Sequence, residues 1–249
     1  KSDSWEECIM RENIDIFSDK LKDVLLNGGS INGVGDIWTK ENFSNLNIAT
    51  NDNLIAGDDS FLNKITAQIL EAKATIPGLS DEEQKNLLAL MAEVLSLYYV
   101  FPSNISKGKK TSALKKLITS DNEVAKSLNL TLAHFVVSTN AFNDGGIGSG
   151  GMGFNTNKQK EIFFLISVFC DWFSKDEGER IKCLSPEGEV KFQNFLDGVE
   201  PERTPQCRHV LLHLFYPNYY EPIISAAQKW RICQVFKEFV EPELLEAEN

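Results

Sequence analysis

Residues 208–240 read RHVLLHLFYPNYYEPIISAAQKWRICQVFKEFV, the densest apolar and aromatic stretch of the chain. Residues 208–215 are apolar on nearly every side, the pattern of a buried helix. Pro217 stops that helix, because proline lacks the backbone donor and clashes with the preceding turn. Tyr216, Tyr219 and Tyr220 crowd a short connection that Pro222 closes. Ser225 and Gln228 have capping-box spacing and open a second helix. Ile232, Val235, Phe236, Phe239 and Val240 recur at i, i+3, i+4, i+7 and i+8 and so share one helical face.

The same periodicity extends toward the amino terminus. Residues 4–26 carry Ile9, Ile14, Phe17, Leu21, Val24 and Leu25 at helical spacing, and Asn27-Gly28-Gly29 ends the run. Trp38, Thr39 and Phe43 fit a hydrophobic staple around an N-cap. Phe61, Ile65, Ile69 and Leu70 mark the buried side of a further helix. Ser80 and Glu83 form a second capping box, opening a long helix to about Val100. Residues 162–173 read as the central buried helix. Residues 103–112 and 175–188 read as polar or charged loops, and 128–137 as helix or strand. Strand candidates are few and short. The expected class is mainly α: one compact multi-helix region over 1–249, with a possible division into two lobes near 101–112.

Bulk composition excludes several classes. A chain of 249 residues buries a substantial core. A net charge of -11 disfavours non-specific binding of the whole molecule to nucleic acid or acidic membranes. The longest apolar run, 162–173, is broken by Ser167 and Asp171 and falls short of the roughly 20 residues of a membrane span. Five cysteines without framework spacing point to reduced thiols, and no secretory leader pattern is read at the start. A cytoplasmic location with no membrane partner is therefore expected. The first residue is Lys1 rather than methionine, as in a piece of a longer protein.

Catalytic motifs are scarce. Residues 148–153, GSGGMG, satisfy G-x-G-x-x-G, whose chemistry is the approach of backbone amides to a pyrophosphate. Without a βαβ unit or an acidic ribose ligand, a tightly turning loop ahead of a helix at Asn157 or Lys158 is the expectation. Gly108-Lys109 lacks the remainder of a Walker A pattern, since Ser103 stands where its first glycine belongs. His209 and His213 stand at i, i+4, a spacing that can bind zinc, but a site needs three or four ligands. Packed or hydrogen-bonded imidazoles are expected instead, and neither a metal nor a cofactor. Cys207 and His209, at i and i+2, point to different sides of a helix and do not easily meet as nucleophile and base. Glu93 sits between Leu90 and Leu97, where a carboxylate needs an Arg, Lys or backbone partner. No second acid accompanies it for a catalytic role.

Two basic groups can meet phosphate. Lys107, Lys109, Lys110, Lys115 and Lys116 cluster with no acid before Asp121, and lysines there gain by counterion release. Lys229, Trp230 and Arg231 combine charge with a ring that can stack on a base, or that packs within the fold.

Residues 208–225, RHVLLHLFYPNYYEPIIS, resemble a segment upstream of the motor in McrB-like AAA+ ATPases of prokaryotic defence systems. IWTKENFSNL with GDDSFLNKI, then LMAEVLSLYYVFPSNIS, then GGMGFNTNKQKEIFFLI resemble the same proteins in the same order. The likeness runs over about 37–233. It implies the amino-terminal, non-motor region of a restriction or anti-phage ATPase. Such a region commonly recognises DNA, often modified DNA. The full assembly it implies would recruit a McrC-like nuclease and oligomerise through its motor. That AAA+ motor is missing from these residues, which is where the chain departs from the pattern. A protein–protein interaction scaffold is the competing expectation, favoured by the acidic balance; an enzyme acting through Glu93 or the histidine pair comes third. Without a Walker A loop, purified 1–249 is expected not to turn over ATP or GTP. Phosphate release above background, abolished by a substitution within the chain, would overturn that expectation.

Overall fold

The computed structural model describes residues 12–50, 60–118, 140–200 and 205–239. Eleven α-helices lie among them. The first four are α1 (Glu12–Asn27), α2 (Lys40–Ala49), α3 (Ser60–Leu70) and α4 (Asp81–Val100). There follow α5 (Lys107–Ile118), the short α6 (Gly151–Thr156), α7 (Lys158–Trp172) and α8 (Glu177–Leu184). The last three are α9 (Glu189–Gly198), α10 (Cys207–Phe215) and α11 (Ala226–Val235). No strand occurs among the described residues, only an isolated bridge between Pro102 and Gly148. The all-α expectation holds. No described helix is long and apolar enough to cross a membrane.

Helix α4 is the axis of the bundle. Ser80 caps it by accepting from the Glu83 amide, while the Glu83 carboxylate accepts from the Ser80 amide at 2.7 Å, closing a capping box. Every residue from Leu87 to Val100 is buried, so this helix is apolar all round, as an interior helix is. Helix α7 is the second buried element: Ile162, Phe164 and Ile166 have no exposed surface. Trp38 packs edge-on against Phe43 and Phe169, with ring centroids 5.2 and 4.8 Å away, and so joins α2 to α7. Thr39 caps α2 by accepting from the Asn42 amide, as the staple reading requires.

Glu93 lies in the middle of α4 with no exposed surface. Its carboxylate accepts from the Ile31 amide at 2.9 Å, the Asn32 amide at 2.9 Å, the Asn32 side-chain amide at 3.1 Å, and the Trp38 indole. The partners are therefore backbone and neutral side-chain donors on the loop after α1. Burial pushes this carboxyl above the usual carboxylate range, and the donors pull it back. The loop also closes on itself. The Ile37 and Trp38 amides both donate to the Gly29 carbonyl at 3.0 Å. Gly29, at φ 95°, occupies a backbone region open mainly to glycine.

Two sequence readings are corrected. The expected loop at 103–112 becomes helix from Lys107, because Ala113, Leu114 and Leu117 give that segment an apolar side. Residues on both sides of 101–112 join one hydrophobic cluster. The expected loop at 175–188 contains α8, capped by Asp176 accepting from the Glu179 amide at 2.8 Å. The glycine stretch holds the short α6 from Gly151, and α7 then starts at Lys158, where the sequence places it. The glycine stretch packs on the end of α4, with the Gly148 amide donating to the Phe101 carbonyl at 3.1 Å and the Gly148 carbonyl accepting from the Ser103 amide at 2.9 Å. A Cβ on Gly148 would lie 2.9 Å from the Pro222 carbonyl oxygen, so close packing accounts for that glycine. Finally, the apolar face of α11 and the turn beyond it is uncovered: Val235 is 75% exposed and Phe239 85%. The expected elements at 120–137 and the tail from 240 lie outside the described residues.

Replacing Glu93 with Gln removes one acceptor oxygen and turns an amide donor toward donors. The expected cost is about 2–4 kcal/mol of unfolding free energy, read by urea denaturation. Unchanged stability would show that the loop after α1 does not need the carboxylate.

Candidate functional site

Helix α5 presents two different faces. Lys110, Leu114 and Leu117 at i, i+4 and i+7 turn inward and are buried. Lys109, Ser112, Ala113 and Lys116 at i, i+3, i+4 and i+7 line a cavity of about 500 Å³. Opposite them stand Tyr99 from the last turn of α4, Leu62 from α3, Asn155 from α6 and Lys158 from the first turn of α7. Asn104 and Ile105 complete the rim.

The cavity is cationic in an acidic protein. Three lysines from two helices converge on it, and no carboxylate is among its described lining residues. Lys158 Nζ donates to the Tyr99 hydroxyl at 3.2 Å and lies 5.7 Å from the centre of its ring. That geometry positions the ammonium group against the cavity wall. Tyr99 in turn packs edge-on against Tyr98 at 5.1 Å, and the Tyr98 hydroxyl donates to the Phe154 carbonyl at 3.2 Å. The wall is therefore anchored in the core rather than carried on a loop. A concave site lined by one sign of charge over low-dielectric walls concentrates counter-ions.

The structure sorts the sequence candidates. Lys109 and Lys116 line the cavity. Lys107 is exposed and donates to Asn143 Oδ1, and Lys115 is exposed on another side of the helix. Lys110 is removed from any nucleic-acid surface, because it has no exposed area. Its Nζ finds no hydrogen-bond partner and sits 5.3 Å from the centre of the Phe142 ring. Burial pulls its ammonium down to about 8. Lys229, Trp230 and Arg231 form no part of the cavity lining. Lys229 Nζ donates to His209 Nδ1 at 2.9 Å, Trp230 is 49% exposed rather than packed, and Arg231 is exposed.

The histidines separate as well. His213 Nδ1 pairs with the Tyr220 carbonyl at 2.6 Å, whereas His209 meets Lys229. Burial, followed by the charges of Lys229 and Arg208, lowers His209 to about 4, so its imidazole is neutral and Nδ1 accepts. Among the described residues, no group of three or more His, Cys, Asp or Glu side chains could hold a metal. Buried Glu161 accepts from the Gln206 and Cys207 amides at 3.1 and 2.8 Å and caps α10. Cys207 is fully buried at that junction, and burial raises its thiol well above the ordinary range, so it is a poor nucleophile.

Lys158 and Tyr99 were missed in the sequence. Each sits in an apparently ordinary helix pattern, and 59 residues separate them. No local signal brings either to the α5 lysines. No family model, curated protein or solved structure matches the chain.

Lys110 generates a test of this geometry. Its folded pKa, about 8, lies below the ordinary value of 10.5, so between these pH values the unfolded chain binds more protons. The charge penalty is therefore complete below pH 8 and fades as pH rises to about 10.5. Lys110→Met should stabilise the protein by about 1–3 kcal/mol at pH 7 and by progressively less toward pH 10. Urea denaturation of both proteins across that range gives the difference. A pH-independent difference would place Lys110 in solvent.

Proposed function

We propose that this chain is the amino-terminal, non-motor sensor region of a McrB-like, NTP-dependent defence ATPase, and that it engages DNA phosphates at the α5 cleft. The observation that carries the DNA reading is the convergence of Lys109 and Lys116 with Lys158 on one cavity. Scattered surface lysines on a protein of net charge -11 would not create such a field. Lysine offers a point charge rather than a base-reading fork, so these residues position a backbone and leave base preference to others. The ordered likeness over about 37–233 supplies the McrB-like setting, with a motor ring and a McrC-like nuclease contributed by the rest of the assembly.

A scaffold role is the second reading, and a separate observation favours it. Val235, Phe236 and Phe239 expose large apolar area beside Lys229, Arg231 and Lys237, and residues 226–237 contain no acid. That face suits a protein partner better than a phosphate.

A salt titration separates the two readings. Binding to duplex and single-stranded DNA, modified and unmodified, should weaken as salt rises. Replacing Lys109 and Lys116 with alanine should make the log–log slope shallower by up to about two. Lys110→Ala should leave the slope unchanged, since that side chain is buried. If no DNA binds even at low salt, the scaffold reading takes its place.

A further inference from the structure

The cavity has more shape and chemistry than a phosphate backbone requires. At about 500 Å³ it falls within the roughly 300–1,000 Å³ of small-molecule sites. A bare phosphate ion would leave most of it empty. The duplex backbone is a convex, continuous ridge, and its phosphates meet the mouth of such a cavity without filling it. The lining is also divided. Lys109, Lys116 and Lys158 supply cations, while Leu62, Ile105 and the buried Tyr99 supply an apolar and aromatic wall. Asn155 also lines the cavity, and its buried Oδ1 has no hydrogen-bond partner among the described residues. Such a lining is complementary to a ligand with a multiply charged phosphate at one end and a flat, hydrogen-bonding body at the other.

We infer that the cleft binds a phosphomonoester borne on a nucleoside: a free mononucleotide or the 5′-phosphorylated end of a DNA strand. The inference rests on the reading of the α5 face as a phosphate site, and it names the form of phosphate that enters. A monoester carries about -1.5 to -2 charges at neutral pH, against one for each internal diester. Three clustered ammonium groups therefore favour the terminal phosphate over any internal one. The body of the nucleotide lies along Tyr99, where its base replaces water on an apolar wall. Asn155 turns to meet its polar edge.

The experiment uses the whole 249-residue chain at low salt, with calorimetry and fluorescence anisotropy. The probes are a deoxynucleoside 5′-monophosphate, the parent nucleoside, inorganic phosphate, and one single-stranded oligonucleotide with a 5′-phosphate or a 5′-hydroxyl. The monophosphate should bind at least tenfold more tightly than either the nucleoside or inorganic phosphate. The exposed-site variants Lys109→Ala and Lys116→Ala should each weaken it severalfold, with thermal unfolding unchanged. Tyr99→Phe, which keeps the ring but removes the hydroxyl that Lys158 meets, should weaken it less. A tenfold preference for the 5′-phosphorylated oligonucleotide identifies strand ends as the source. Binding of the monophosphate without that preference identifies a free nucleotide. Equal binding of both oligonucleotides with no binding of the monophosphate overturns the inference and leaves the DNA reading standing. Monophosphate binding without DNA binding does the reverse. Inorganic phosphate binding as tightly as the nucleotide overturns the nucleoside part of the inference.

Discussion

A carboxylate buried in the middle of an apolar helix must be surrounded by donors, and in this protein all of them come from one loop. Glu93 takes hydrogen bonds from the Ile31 and Asn32 amides, the Asn32 side chain and the Trp38 indole. Satisfying it fixes the path of the chain between α1 and α2. That path places Trp38 against Phe43 and Phe169, and this contact seats α2 and α7 together. About one and a half turns beyond Glu93, the same helix α4 delivers Tyr98 and Tyr99. Tyr99 is the wall of the basic cleft and the partner of Lys158. The geometry of the candidate site thus rests on the rigidity of α4, which a single ionisable residue holds to the loop.

Glu161 repeats the arrangement on the other buried helix. It accepts from two amides at the start of α10, where the helix dipole also favours a negative charge. Both acids resemble catalytic candidates by burial alone. Geometry gives them another role, because backbone and neutral side-chain donors occupy their oxygens and neither is open to a substrate. Lys110 is the opposite case. It is a buried cation with no hydrogen-bond acceptor, only the face of Phe142. A ring face returns less than a paired carboxylate would, so Lys110 opposes folding where Glu93 organises it.

Much of the fold was legible because it is local. The capping box at Ser80, the staple around Thr39 and the stripe of α7 each follow from spacing within one or two turns. Helix α8 was not legible, since its charged composition hid an ordinary Asp176 cap. The face of α11 was legible as a face, but periodicity does not say whether anything covers it. The site was half legible. Five lysines on one segment were conspicuous, yet helical register assigns Lys109 and Lys116 to the cleft and Lys110 to the core. The spacing of Lys110 with Leu114 and Leu117 already carried that assignment, and the charge of lysine argued against it. Lys158 and Tyr99 were beyond sequence reasoning, because tertiary packing alone brings them to α5.

The overall charge bears on what such a cleft can select. A long polyanion is felt by the whole surface, and the net charge of -11 repels it. A small phosphate compound reaching the cavity is felt mainly by the nearest ammonium groups, since charges beyond about one Debye length, roughly 8–10 Å, are screened. The balance of global repulsion and local attraction therefore favours a compact, doubly charged group over an extended duplex. It also shapes the response to salt. Added ions weaken the lysine contacts, but they weaken the long-range repulsion as well, so the two effects partly cancel for a long duplex and not for a mononucleotide. The proposed terminal-phosphate site would then gain selectivity from the net negative charge of the molecule, which discourages indiscriminate binding along nucleic acid.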